Sequence, residues 1–183
     1  LDGGYLSGYF KNTTFYGMVL KNGTIKMDED IIQSKFDNVK IENSIVWDLN
    51  LSNMKVKDVE ITNSRLSSCI FQGMKAKKFN MSGSEMSHLN FNKATIKNGN
   101  FSGVESSGNQ DFSEAKLIAN NFSKAKISGS TFENADLRKI NFTDAKLKWV
   151  KFDGADISNG DFTGAEDLDS CTFLGAKTDG TKS

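Results

Sequence analysis

An apolar residue recurs at every fifth position over most of this chain, and the run is cleanest between Phe112 and Phe162. We call these positions the centres of five-residue units, and the register places the first centre at Tyr5. The residue two positions before a centre is usually small, as at Ala115 and Ala125. Helices repeat near 3.6 residues and strands repeat at 2, so a period of five fits neither. Such a chain must turn a corner in every unit, and its coils must stack to bury their apolar residues.

The five-residue register shifts by one residue at three places, near 26–30, 107–111 and 163–167. A single extra residue can be absorbed as a bulge at a corner, so we predict irregular coils there rather than long loops. The small position is often large before residue 70, as at Val39 and Leu49. We therefore predict one domain over residues 1–183, with degenerate repeats over 1–70 and regular repeats over 71–180.

Several units carry a recognisable consensus. The clearest are Ala135-Asp136-Leu137-Arg138-Lys139 and Ala155-Asp156-Ile157-Ser158-Asn159. They resemble the A(D/N)LXX pattern of pentapeptide repeat proteins. The resemblance implies an all-β, right-handed quadrilateral parallel β-helix with four units in each coil, hence about nine coils here. For function it implies a spectrum: topoisomerase-protecting proteins, secreted bacterial effectors and many proteins of unknown role.

A coil of four units makes a prediction about the phenylalanines. Centres four units apart should stack on one face of the coil. On one face this gives an unbroken phenylalanine ladder: Phe71, Phe91, Phe112, Phe132, Phe152 and Phe173. The opposite face stacks Phe101, Phe122, Phe142 and Phe162. Of the 14 phenylalanines, all except Phe79 fall on centres, which favours a filled and dry interior.

The sequence offers little for catalysis or for binding a cofactor. His88 is the single histidine, and no pair of cysteines has metal-ligand spacing. Cys69 and Cys171 fall on small interior positions of coils too far apart for a disulfide. We therefore predict no catalytic residues, no metal and no cofactor. A β-helix enzyme such as a polysaccharide lyase is the alternative, but it would need clustered catalytic residues in a groove.

Charge is balanced overall, with 23 basic and 23 acidic residues, but the coil map segregates it. One face gathers basic residues, which we call the lysine face: Lys35, Lys55, Lys57, Lys75, Lys77, Lys78, Lys97, Lys116, Arg138 and Lys139. Only Asp37, Asp58 and Asp136 oppose them there. This face could attract an acidic partner or an anionic membrane, or it could simply be solvated. Nucleic acid is not favoured, because aromatic residues do not interleave the lysines.

A second feature lies at one corner of the coil. Trp47 and Trp149 are placed outward near the ends of a strip of small residues, with His88 in the middle. We call this strip, from Trp47 to Trp149, the tryptophan corner. Tryptophan is a favoured anchor in protein interfaces, so the corner is a candidate partner-binding strip. Alternatively, each tryptophan packs against a neighbouring domain of the parent chain.

The favoured function is a non-catalytic protein–protein interaction scaffold, the β-helix module of a larger bacterial protein such as an effector. Its partner would be another protein or flanking domains of its own chain, and an end-to-end dimer is an alternative. The second hypothesis is a topoisomerase-interacting or gyrase-interacting protein that imitates DNA. Imitation needs a strongly anionic surface, whereas this chain is neutral and has a lysine face. The sequence has no signal peptide or transmembrane stretch, so we expect the bacterial cytoplasm or secretion into a host cell.

Overall fold

A computed structural model describes residues 2–7, 14–26 and 35–183 of the chain. The structure is built from short strands, and every strand pairs in parallel with the strand one coil away. The strands are β1 (Tyr5–Ser7), β2 (Thr14–Tyr16), β3 (Val19–Lys21), β4 (Thr24–Lys26), β5 (Lys35–Glu42), β6 (Ile45–Trp47), β7 (Lys55–Thr62), β8 (Arg65–Ser67), β9 (Lys75–Asn80), β10 (Glu85–Ser87), β11 (Thr95–Lys97), β12 (Glu105–Ser106), β13 (Lys126–Ser128) and β14 (Lys146–Lys148). A 3₁₀ turn spans Leu168–Ser170. The predicted fold class is therefore confirmed as an all-β parallel β-solenoid.

The strands form two stacks. One has the order β1-β4-β6-β8-β10-β12-β13-β14, and the other has the order β11-β9-β7-β5-β2, with β3 also paired to β5. Arg65 pairs directly with Glu85 in the next coil, so a regular coil contains four five-residue units. Within the described residues the larger stack has eight strands, and a bridge from Lys146 to Glu166 continues it. The nine levels of this stack, from Tyr5 to Glu166, are separated by eight coil steps, so the coil count differs slightly from the predicted nine.

The corner in many units is a hydrogen-bonded turn. In the unit centred on Phe122, the Ala125 N–H donates to the Phe122 carbonyl at 3.1 Å, and Lys124 has a φ of 58°. A turn with positive φ at its third residue is type II, which favours glycine or asparagine there. Asn121 stabilises the same unit, because its Oδ1 accepts the Ser123 N–H at 3.0 Å. This explains why asparagine often precedes a centre and serine or threonine often follows it.

The phenylalanine ladders form the interior. The rings of Phe91 and Phe112 stack with centroids 4.7 Å apart, and those of Phe152 and Phe173 are 5.1 Å apart. Both pairs span a predicted insertion, so the ladder stays in phase across it. Phe79 occupies a small position but is also fully buried and packs edge-on against Phe71 at 5.7 Å. The centres form a continuous apolar core, as predicted.

The insertions are visible as changes in register. A regular four-unit coil would pair Glu105 with Ala125. Glu105 pairs instead with Lys126, and this shift of one residue accounts for the extra residue near 107–111. Near the C-terminus, Asp167 has a φ of 63° and the 3₁₀ turn after it holds the extra residue. The first insertion, near 26–30, falls mostly on residues outside the described part, but the pairing of Thr24 with Ile45 shows the same shift.

The register of the first coil differs from the prediction. We expected Tyr5 to be a centre, but Leu6 pairs with Ile25, and Tyr5 is exposed. The pairing of Leu6 with Ile25 means that the first coil is shorter than a regular coil by a single residue. A five-residue pattern cannot reveal such a deletion when Tyr5 and Leu6 are both apolar neighbours.

Candidate functional site

The lysine face lies on the stack that contains β5, β7, β9 and β11. Within it, Lys55 pairs with Lys75, and Lys57 pairs with Lys77, as direct partners in adjacent coils. Lys77 in turn pairs with Lys97. The two rows of lysines that result are about 6.6 Å apart, which is the rise of two strand positions. All the basic residues predicted for this face are exposed there.

The acids of the lysine face engage only a few of its cations. Asp58 lies 3.7 Å from Lys57 Nζ and 3.4 Å from Lys78 Nζ. Asp136 accepts two hydrogen bonds from the Arg138 guanidinium, each 2.8 Å long. Within the described part of the chain, these contacts leave a cluster of lysines with no acid in ion-pair distance: Lys55, Lys75, Lys77, Lys97 and Lys116.

A shallow groove of about 440 Å³ runs between the two lysine rows. Val56 and Ala76 lie in its floor, and the stems of the flanking lysines form its sides. These two residues are 4% and 5% exposed, whereas the neighbouring centre Ile96 is 1% exposed. The face therefore combines cationic edges with an apolar floor.

The tryptophan corner follows the strands of the other stack. Trp47 ends β6 and is 46% exposed, and Trp149 follows β14 and is 61% exposed. Five coils separate the two residues, which is about 24 Å at the strand spacing. Lys148 Nζ lies 4.3 Å from the centroid of the Trp149 ring. The Trp149 backbone N–H donates a hydrogen bond to Ser170 Oγ at 2.9 Å. The two tryptophans thus present separate apolar surfaces on one edge of the solenoid.

His88 is exposed in the middle of this corner. Its Nδ1 lies 2.9 Å from Ser87 Oγ. Its ring also lies over Gly108 of the next coil, where an added Cβ would be 2.9 Å from His88 Cε1. Among the described residues no carboxylate is hydrogen-bonded to His88. The contact with Gly108 gives His88 a packing role at the second insertion.

A residue that the sequence analysis missed organises this insertion. Gln110 is buried at a small position, and its Oε1 accepts the Leu89 N–H at 2.7 Å. Its Nε2 donates to the carbonyls of Met86 and Gly108, at 3.2 Å and 2.7 Å. The signal was present, because a long polar residue stands two positions before the centre Phe112, where alanine is usual.

The two cysteines are free thiols, as predicted. Burial raises the pKa of Cys69 to about 12, and burial also raises the pKa of Cys171. Because the thiolate is the reactive form, we expect Cys69 in the native protein to resist a thiol reagent, while half-buried Cys171 reacts slowly. Titration with an aromatic disulfide reagent, with and without denaturant, measures this. A Cys171→Ser variant should show no reactive thiol until it unfolds, and rapid labelling of that variant would contradict a closed interior.

No group of three or more histidine, cysteine or acidic residues in the described part of the chain is arranged to hold a metal ion. No helix formed by the described residues is long and apolar enough to cross a membrane.

One family model is similar to the C-terminal coils. Residues 106–182 match the family model described as a pentapeptide repeat region. No curated protein matches the chain.

Several solved structures are similar. QnrB1, a plasmid-mediated fluoroquinolone resistance protein, is 13% identical with a TM-score of 0.45, and the match covers 97% of this chain and 92% of QnrB1. HetL from the cyanobacterium Nostoc sp. strain PCC 7120, a protein involved in heterocyst differentiation regulation, is 16% identical with a TM-score of 0.45, over 99% of this chain and 87% of HetL. A pentapeptide repeat protein of the Arabidopsis thaliana thylakoid lumen is 25% identical with a TM-score of 0.36, over 53% and 56%. The resemblance seen in the sequence is therefore confirmed for residues 106–182, which match the pentapeptide repeat region, and the described residues form a parallel β-solenoid.

Proposed function

We propose that this chain is a non-catalytic scaffold that binds a partner protein at the tryptophan corner, as a module of a larger bacterial protein such as a secreted effector. The observation that carries the proposal is the exposure of Trp47 and Trp149 on the same edge of the solenoid. Burying an exposed tryptophan against a partner releases a large apolar area from water, which is why tryptophan dominates many interfaces.

The local structure of Trp149 supports a tryptophan that is held ready for contact. The Lys148 ammonium over the Trp149 ring and the hydrogen bond from the Trp149 backbone to Ser170 both restrict that residue. Between the two tryptophans the corner carries small side chains, including Ser67, Ser128 and Gly129. A partner surface could therefore approach the edge closely on either side of His88 and still bury an anchor at each end.

The interior of the regular coils is closed to solvent, which favours a role for their exterior. The centres from Phe112 to Phe162 are at most 3% exposed. The alternative, a DNA-mimicking protein that acts on a topoisomerase, requires an anionic surface in place of phosphates. The lysine face and the zero net charge give no support to that alternative.

Affinity capture with the purified domain tests the proposal. We expect a partner that is retained by the wild type to be lost by the Trp47→Ala, Trp149→Ala double variant. Leu174→Ala is the matched control, because Leu174 is an exposed apolar residue outside the tryptophan corner. Retention of every partner by the double variant, or no partner from any plausible extract, would contradict the proposed role of the corner.

A further inference from the structure

The lysine face departs from the charge pattern of the rest of the exterior. Elsewhere, many basic side chains pair with an acid about one coil away. Such pairs include Lys21–Glu42 at 3.0 Å, Lys40–Glu60 at 3.4 Å, Arg65–Glu85 at 3.0 Å, Lys126–Glu105 at 2.6 Å and Lys146–Glu166 at 2.7 Å. On the lysine face, by contrast, the partner of Lys75 is Lys55, and Lys77 lies between Lys57 and Lys97. Lys126 and Lys146 of the other stack are also direct partners, but each of them has an acid on its other side, whereas Lys75 and Lys77 have none in ion-pair distance among the described residues.

This arrangement is unfavourable in the isolated chain. Like charges directly opposite each other on neighbouring strands repel, and no acid of the described residues lies in ion-pair distance of Lys55, Lys75 or Lys77. The composition does not force it, because acidic residues are as numerous as basic ones. An anionic ligand on this face would remove the repulsion and gain attraction from both rows.

The shape and lining of the groove limit which class of anionic ligand fits this face. Its cationic edges suit carboxylates or phosphates, but the floor at Val56 and Ala76 suits a small apolar group. A protein segment offers carboxylates and small apolar side chains together. A nucleic acid offers phosphates, but no exposed aromatic residue lies between the described lysines for a base to stack on, since exposed Tyr16 lies beyond Asp37 at the end of the row. A membrane surface would bring charged headgroups to the lysines. The apolar atoms of the groove lie below the lysines, where the headgroups offer no small apolar group to contact them.

We propose that the lysine face binds an acidic segment of a partner protein. Carboxylates of the segment would lie on the two lysine rows, and small apolar side chains would contact the floor at Val56 and Ala76. The lysine face belongs to a different strand stack from the tryptophan corner, so this surface is additional to the one in the proposed function.

A synthetic peptide of alternating glutamate and alanine is a suitable probe, measured by calorimetry at low and at physiological salt. We expect binding that weakens as salt rises. The Lys75→Gln, Lys77→Gln double variant should bind about tenfold more weakly, because two neighbouring charges of the groove are lost. The matched control is Lys126→Gln, Lys146→Gln, which removes the same charge from the other stack and should bind as the wild type does. A peptide of alternating glutamate and serine should bind more weakly than the alanine peptide, since it cannot fill the apolar floor.

The outcomes separate this proposal from its competitors. An equal loss in both double variants would mean that only net charge matters, which would overturn it. Stronger binding of a DNA oligonucleotide or of phosphatidylserine vesicles than of the peptide would also overturn it. The Trp47→Ala, Trp149→Ala variant should bind the peptide normally. A partner lost by that variant in affinity capture, together with no peptide binding at all, would leave the tryptophan corner standing and remove the lysine face.

Discussion

Replacing Phe122 by alanine should lower the free energy of unfolding by about 3–5 kcal/mol, because it opens a cavity in the middle of the interior. The Phe122 ring stacks on Phe101 with centroids 4.6 Å apart and lies 5.2 Å from Phe142 in the next coil. It also packs edge-on against Phe112 and Phe132, each at 5.9 Å. These four neighbouring rings are themselves held by other rings of the ladders, so they cannot move in to fill the space left by Phe122. Equilibrium unfolding in urea, followed by circular dichroism, measures the loss.

Phe173→Ala is the control for this prediction. Phe173 is the last ring of its ladder, is only partly buried and stacks on Phe152 alone among the ring contacts of the described residues. We therefore expect a smaller loss than for Phe122, since solvent already reaches the end of the ladder. A loss of only a few tenths of a kcal/mol for Phe122→Ala would contradict a close-packed interior. Equal losses at both positions would mean that a ring in the middle of the ladder contributes no more to stability than a ring at its end.

The interior could be predicted from the sequence because it depends on a regular period. Once the centres and the four-unit coil are assigned, Phe91 and Phe112 must be neighbours, although an extra residue lies between their coils. The register of the first coil was predicted wrongly for the opposite reason. Its register rests on one choice between Tyr5 and Leu6, and no later repeat corrects a wrong choice at the end of a chain.

The exterior was less predictable, because it depends on which side chains meet across coils. The predicted basic residues do share one face, but the direct opposition of Lys57 and Lys77 and the apolar groove between the rows required coordinates. The cation over Trp149 was not predicted either, since the orientation of a long lysine side chain follows no period. The sequence does not rank the lysine face against the tryptophan corner as a binding surface, because the repeat does not encode the chemistry of the partner.

The second large effect is expected at Gln110. Replacing it by leucine should destabilise the protein by about 1–3 kcal/mol, the penalty for a buried polar group that loses its hydrogen bond. The Leu89 N–H would lose its acceptor at 2.7 Å, and the carbonyls of Met86 and Gly108 would lose the Gln110 amide. Leucine has a similar volume but offers neither donor nor acceptor, so the change tests hydrogen bonding rather than packing. Gln72→Leu is the matched control, because Gln72 is exposed and should change stability by less than about 0.5 kcal/mol.

Hydrogen exchange tells a local effect of Gln110→Leu from a global one. In the wild type, Gln110 joins the coil of Met86 and Leu89 to the coil that contains the inserted residue. In the variant, the Leu89 amide should exchange faster than amides such as Phe142 N–H, which lies in regular coils further along. Unchanged exchange at Leu89 would mean that water or backbone rearrangement replaces the glutamine. Gln110 would then be a tolerated filler of the inserted coil, and the stability of this coil would come from the phenylalanine ladder alone.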